Sequence, residues 1–421
     1  MQEAKKLGYL DGLKVIACFM VFNFHFVNLF YPGEYCLLPE YYHAPKVEYF
    51  IGSTPLNILC GAKFAVRIFL ALSGFFVGYR FFLTKDKETI KSGAIKKYFR
   101  LVFPIVAANL LVYILMKLNL YQNAEASVLA HSEVFSGNYN TFVPSLGDAL
   151  KEAFIGCFIN GSNQYNGPIW FIFYEFFGTL MIAVIILLFG EKRWRYIVYA
   201  VAAIAFIRSD FLSMILGMVV CDLTYCEPKW LAKFSTKRLL MGVLLACGIF
   251  LGSFPPIGEH YEGTIYQFFP IKVMFYYNVA APMILYALLH LKAVPKALDI
   301  KPLTWFTKYT YCFYLLHFPV LCTFSCGLFI AWYGKMNYHL LALINVLLTV
   351  LLISVLAVLM HKFVEKPGIK IANLVVELFE GNTGEEKAEA EVDGEKNCTR
   401  NENEKSNQSE NSKIVVENCK Q

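Results

Sequence analysis

The chain has 421 residues, of which 57% are hydrophobic, 16% aromatic and only 17% charged. Soluble domains carry about a quarter charged residues, and a mean hydropathy of +0.48 makes lipid the solvent for most of this chain. The net charge of +6 lies between apolar runs rather than on one face, which excludes a nucleic-acid-binding module.

A membrane-crossing helix needs roughly 20 apolar residues. By that measure the sequence predicts an all-α, polytopic membrane helix bundle of about ten spans. They are 12–31, 58–83, 101–118, 168–189, 195–207, 211–226, 239–254, 273–291, 309–331 and 339–361. The fifth and sixth are short and joined by Arg208, Ser209 and Asp210, so a helical hairpin or one re-entrant element is the alternative there. Lys5 and Lys6 precede the first span without a small-residue cleavage site, so it reads as an uncleaved first helix rather than a signal peptide.

Lysine and arginine placement sets the expected sidedness. One set of loops holds Lys85, Lys87, Lys91, Lys96, Lys97 and Arg100, then Lys192 and Arg193, Lys229 and Lys233, and Lys292 to Lys308. The alternate loops hold few cations. An even number of spans then puts both termini in the cytoplasm of a multi-pass cell-membrane protein. From Gly381 the composition turns to Glu, Lys, Asn and Ser, too polar to bury a core. The expected division is a membrane domain over 1–375 and a disordered cytoplasmic tail over 376–421.

Most of the twelve cysteines sit in apolar runs as small hydrophobes. No CxxC pair points to a metal. Only Cys36 and Cys157, in polar loops, are placed to pair.

An ionisable side chain at membrane depth is costly and therefore a functional candidate. His25 lies eleven residues beyond Lys14, or roughly 16 Å deeper along the first span. Arg67 falls about 14 Å into the second span, which runs the other way, and Glu175 about 10 Å into the fourth. The three therefore share one depth on three helices. The plainer alternatives are a packed bundle histidine at His25 and a structural ion pair between Arg67 and Glu175. Ser73 and Gly74 read as a notch where backbones approach. His317, about 12 Å into the ninth span, either contacts substrate or packs. Tyr42, Tyr49, Tyr276 and Tyr277 read as interfacial anchors.

The run Leu10-Asp11-Gly12-Leu13-Lys14, followed after ten residues by His25, resembles the start of the acyltransferase-3 family of membrane O-acyltransferases. Further blocks follow in the family's order. Phe69 to Phe76 is similar to its aromatic "LSGF" helix, and Lys96 to Arg100 before Pro104 to its basic stretch. Trp170 to Glu175 looks like its tryptophan-to-glutamate block, and Tyr314 to Pro319 and Glu365 to Pro367 like its last two motifs. The resemblance covers about residues 7–370. Two departures stand out. Lys14 replaces the family's arginine and lacks its planar fork, and Arg67 stands where many members carry an aspartate.

The resemblance implies transfer of an acyl group, usually acetyl from acetyl-CoA, to a hydroxyl of a surface glycan, with no metal. Attack of a hydroxyl on a thioester needs a base, for which His25 is the natural choice. Arg67 is the candidate oxyanion donor, and Glu175 the group that orients the imidazole or the sugar. Lys14, Lys96, Lys97 and Arg100 are placed to gather the phosphates of acyl-CoA. Trp170 and His317 are the candidate contacts to the acceptor. The rivals are a secondary transporter, against which the lack of internal repeats speaks, and a membrane sensor.

Overall fold

The computed structural model describes residues 7–132, 139–226, 228, 237–256 and 261–378. The chain divides into two compact units, residues 1–369 and residues 370–421. The cavities and sites belong to the first. The predicted tail from Gly381 and the basic residues Lys229 and Lys233 lie outside the described residues.

Among the described residues there are helices and no strand. Seven of the described helices are long and apolar enough to cross a membrane. They are α1 (Gly8–Phe30), α2 (Ala62–Thr84), α3 (Glu88–Lys117), α4 (Gly167–Phe189), α8 (Val273–His290), α9 (Lys301–Trp332) and α10 (Tyr338–Leu378). Between α4 and α8 come three shorter apolar helices, α5 (Arg195–Ala205), α6 (Phe211–Tyr225) and α7 (Arg238–Gly252). Each predicted span thus overlaps a helix, but the fifth to seventh are shorter than a bilayer requires.

Hydrogen bonds near the helix ends tie the two faces of the bundle. On the basic face, Thr307 Oγ1 donates to the Asp11 carbonyl at 3.1 Å and Lys87 meets Glu191 at 3.0 Å. On the far face, Tyr338 donates to the Phe30 carbonyl, and Asn57 Nδ2 to that of Ser253 at 3.0 Å.

α2 and α6 approach closely. A Cβ on Gly74 would lie 1.9 Å from the Met214 carbonyl oxygen, and one on Gly217 would lie 2.0 Å from that of Ala71. Only glycine allows this contact, the usual small-residue packing of membrane helices. Gly74 is therefore the packing notch expected at Ser73 and Gly74, while Ser73 turns to another partner. Pro319 interrupts α9, and a wider i→i+5 turn follows at Leu321–Ser325. A second such turn, His361–Glu365, lies in α10. Turns of this kind cluster at functional sites.

Two expectations change. Tyr277 is 2% exposed and its hydroxyl donates to the Phe254 carbonyl at 2.5 Å, so it is a core residue and not an interfacial anchor. Cys36 and Cys157 are both free thiols, as is every other described cysteine.

Candidate functional site

Three cavities follow one another through the bundle. The first, about 330 Å³, lies toward the far face and is lined by His25, Asn28, Lys63, Trp170, Tyr314 and Phe318, among others. The last, about 650 Å³, lies toward the basic face and carries Lys14, Lys97, Arg100, Lys308, Glu175 and Glu365. A chamber of about 130 Å³ sits between them. It shares Lys14, Ser73, Leu101, Glu175, Thr310 and Tyr311 with the basic cavity and Tyr314 with the histidine cavity. Tyr314 is thus the wall common to both halves. It is held by a 2.8 Å hydrogen bond from its hydroxyl to the Pro168 carbonyl.

In the histidine cavity, His25 of α1 faces His317 of α9. Their ring centroids are 5.1 Å apart, and His317 Nε2 is 3.3 Å from His25 Nδ1. Backbone carbonyls fix the protons, because a carbonyl oxygen only accepts. His317 Nδ1 lies 2.5 Å from the Tyr314 carbonyl and so carries a proton, leaving its Nε2 as an acceptor. His25 Nδ1 lies 2.8 Å from the Val21 carbonyl and also carries one, shared toward His317. In the neutral ring His25 Nε2 is then an unprotonated nitrogen with no hydrogen-bond partner among the described residues. His317 is 1% exposed and stands behind His25 rather than on the cavity wall. Trp170 is on the wall.

Arg67 and Glu175 do not join His25, and they do not pair with each other. Arg67 is fully buried. Its Nη2 is bound to Asp210, in the turn between α5 and α6, and its Nη1 donates to the Lys63 carbonyl at 2.9 Å. Its guanidinium carbon is 5.8 Å from the Trp170 ring centroid, behind the wall that Trp170 forms. Glu175 Oε1 meets Lys97 Nζ at 2.5 Å and accepts from Ser73 Oγ at 2.6 Å, at the edge of the basic cavity. The expected common depth does not hold. Glu175 meets Ser73, six residues or about 9 Å along α2 from Arg67, and lines the cavities that hold Lys14. Those six residues also turn Arg67 and Ser73 about 120° apart, so the two face different neighbours.

Of the four cations expected to gather the donor, Lys14, Lys97 and Arg100 line the basic cavity and Lys96 does not. Lys14 is 4.0 Å from Asp11 and 4.4 Å from the Phe76 ring centroid. Lys308 joins them on the wall. Nearby, Glu365 Oε2 accepts from His361 Nδ1 at 2.7 Å and from Cys312 Sγ at 3.1 Å. The donor atoms of these three residues lie within 4.8 Å of one another, close enough to hold a metal ion. The two hydrogen bonds to Glu365 already account for the arrangement.

Sequence reasoning passed over Glu152 and Asp210. Glu152 is 5% exposed. It accepts from Asn109 Nδ2 (3.2 Å), Ser162 Oγ (2.9 Å), Gln164 N (2.7 Å) and Tyr165 N (3.0 Å). This one carboxylate shapes the loop that sets Asn163 and Gly167 on the wall of the histidine cavity. Asn166, buried beside it, donates to the Leu315 carbonyl at 2.8 Å and fastens the start of α4 to α9. Both acids lie outside the deep apolar runs, where charge is unremarked, and nothing in their local sequence marks them as hubs.

A bundle of apolar helices enclosing a cavity beside a histidine pair at one end and a cationic basin at the other, with a small chamber between them, defines a polytopic membrane protein with polar groups gathered at membrane depth. The chain belongs to the acyltransferase-3 family: the family's model, described as an acyltransferase domain, matches residues 7–360. It is a membrane acyltransferase. No curated protein and no solved structure matches the chain.

Proposed function

We propose that the protein moves a short acyl group, acetyl foremost, from acyl-CoA in the basic cavity to a hydroxyl of a glycan in the histidine cavity. The observation that carries this reading is the succession of cavities meeting at Tyr314, with the bare His25 Nε2 at its far end. Lys14, Lys97, Arg100 and Lys308 supply the spread positive charge that a nucleotide's phosphates need. The rise from Lys14 to His25 is about 16 Å, a path for a long flexible thioester arm through the middle chamber. Trp170, Tyr139 and Asn163 offer the rings and amides that suit a sugar.

The acceptor hydroxyl attacks the thioester carbonyl as His25 Nε2 takes its proton. The new C–O bond forms, the C–S bond breaks, and the proton passes from His25 to the leaving thiolate. His317 Nε2 accepts from His25 Nδ1–H throughout, so it holds the ring in the tautomer that leaves Nε2 free. It acts as a positioning residue. Arg67 with Asp210 positions α2 and the Trp170 wall, and Glu175 holds Lys97 beside the donor. The basic face is the cytoplasmic one, where acyl-CoA resides, and both termini lie there. The acceptor is an exported glycan at the cell membrane.

The test is transfer of radiolabelled acetyl from acetyl-CoA to glycans by the protein in proteoliposomes. His25→Gln keeps an amide hydrogen bond but cannot take a proton at neutral pH. It should lower the rate by about 10²–10⁴-fold at unchanged protein level. A folded Gln variant within a few-fold of the parent would remove His25 as the base.

A further inference from the structure

The wall of the histidine cavity has a polarity that acyl transfer alone does not require. Asn28 lies three residues beyond His25 on α1, hence on the same helix face. It is 4% exposed, yet neither its Nδ2 nor its Oδ1 has a partner among the described residues. A buried amide left unpaired is costly in a folded protein, and this one borders an open cavity. A ligand with both a donor and an acceptor answers it, as a pair of neighbouring sugar hydroxyls does.

Lys63, exposed at the start of α2, is the one charged residue on the described wall. Its ammonium makes no hydrogen bond or ion pair with a described residue. The nearby acids are committed elsewhere. Asp210 is taken by Arg67, and Glu48 accepts from the backbone of His43 and Ala44. Burial raises the Glu34 carboxyl to about 8, so it is largely uncharged at neutral pH. No carboxylate lines the described part of the cavity. The result is a sugar-sized space, at the lower end of the range of about 300–1,000 Å³ for small-molecule sites, with one exposed ammonium at its edge and one buried, unmatched amide within.

We propose that the histidine cavity is an anionic-acceptor site, in which Lys63 holds a carboxylate or phosphate on the glycan and Asn28 aligns the hydroxyl to be acylated beside His25. The proposal rests on the acyl-transfer reading for the identity of that hydroxyl. The charge match itself does not. Lys63 sets which acceptors are taken, and Asn28 sets which hydroxyl faces the base.

Equilibrium binding to the full-length protein in nanodiscs, without acyl donor, decides it. The probes are methyl glucuronide, methyl glucoside 6-phosphate and neutral methyl glucoside. The parent should bind at least one anionic probe about tenfold more tightly than the neutral one, the weight of one charge-assisted contact. Whichever anion it prefers names the acceptor's charged group. Lys63→Gln should erase the preference and Lys63→Arg should keep it. Asn28→Ala should weaken all three probes by several-fold, and Asn28→Ser should restore part of the loss. Acetyl-CoA binding, unchanged in every variant, shows that each is folded. Equal binding of the three probes by the parent, or a preference that survives Lys63→Gln, overturns the proposal. Because no transfer is needed, failure to acylate any glycoside would sink the acyl-transfer reading and leave this result standing. Active transfer with no charge preference would sink the anionic site alone.

Discussion

The histidine cavity is walled by aromatic rings and amides with a single ammonium at its edge, whereas the basic cavity carries Lys14, Lys97, Arg100 and Lys308 together with Glu175 and Glu365. The two also differ in how their polar groups are held. His25 and His317 are locked by carbonyls of their own helices. The charges of the basic cavity come from separate helices and pair across them, as Lys97 does with Glu175. Geometry dominates in the first cavity and field in the second. A proton-transferring imidazole depends on which nitrogen carries hydrogen, so its surroundings fix the tautomer. A polyanion needs total charge more than exact position, so several cations on different helices serve.

That contrast can be broken by substitution. The largest effect after loss of His25 should come from His317. If it positions the base, His317→Gln should lower kcat by about 10²-fold with little change in KM for either substrate, and should alter the shape of the pH–rate profile. A rise in acceptor KM at constant kcat would return His317 to the role of a substrate contact. On the other side, Arg100→Ala should raise donor KM by several-fold and leave kcat unchanged, since a contact present in both ground and transition state affects binding alone. Should kcat collapse instead, the division of labour between the cavities is wrong.

The smallest effect sharpens the comparison at the far face. Glu34 lies in the short helix Gly33–Cys36 next to Tyr35 of the cavity wall. Burial, with the neighbouring Glu48 adding to it, moves its carboxyl from 4.5 to about 8. The folded state therefore holds this proton more tightly than the unfolded state. Its stabilising contribution is complete below about pH 4.5 and is lost as pH rises toward 8. Glu34→Gln should flatten that decline in thermal stability between pH 5 and 8. A parallel curve for the variant would mean that Glu34 ionises freely.

Much of the frame could be read without coordinates. Apolar runs located the helices, because lipid demands continuous hydrogen-bonded backbone, but α3, α9 and α10 each continue well past one predicted end into polar sequence. The basic loops anticipated a cationic face, and three of the four expected donor cations do line one cavity. The reading failed where two helices had to meet. Neither the expected convergence of Arg67 and Glu175 on His25 nor the alternative Arg67–Glu175 pair formed, and Arg67 meets Asp210 while Glu175 meets Lys97, partners 143 and 78 residues away. Asp210 read as part of the linker between two short spans, and a linker residue carries no sign of a partner 143 residues away.

The sequence by itself determined what each helix contains and how far along it each charged group lies, because position along a helix is a local property that advances by 1.5 Å per residue. It determined that His25 sits far from the basic face and that Lys14 sits near it. Only the tertiary structure decided which way those side chains face and what meets them. His25 and His317 come together across 292 residues, through packing of α1 against α9 that neither helix encodes alone. Gly74 and Gly217 let α2 press onto α6, and in that packing Arg67 meets Asp210 while Ser73 meets Glu175 of α4. Direction around a helix becomes a site only when its neighbours are in place, and those neighbours are chosen by packing over the whole bundle.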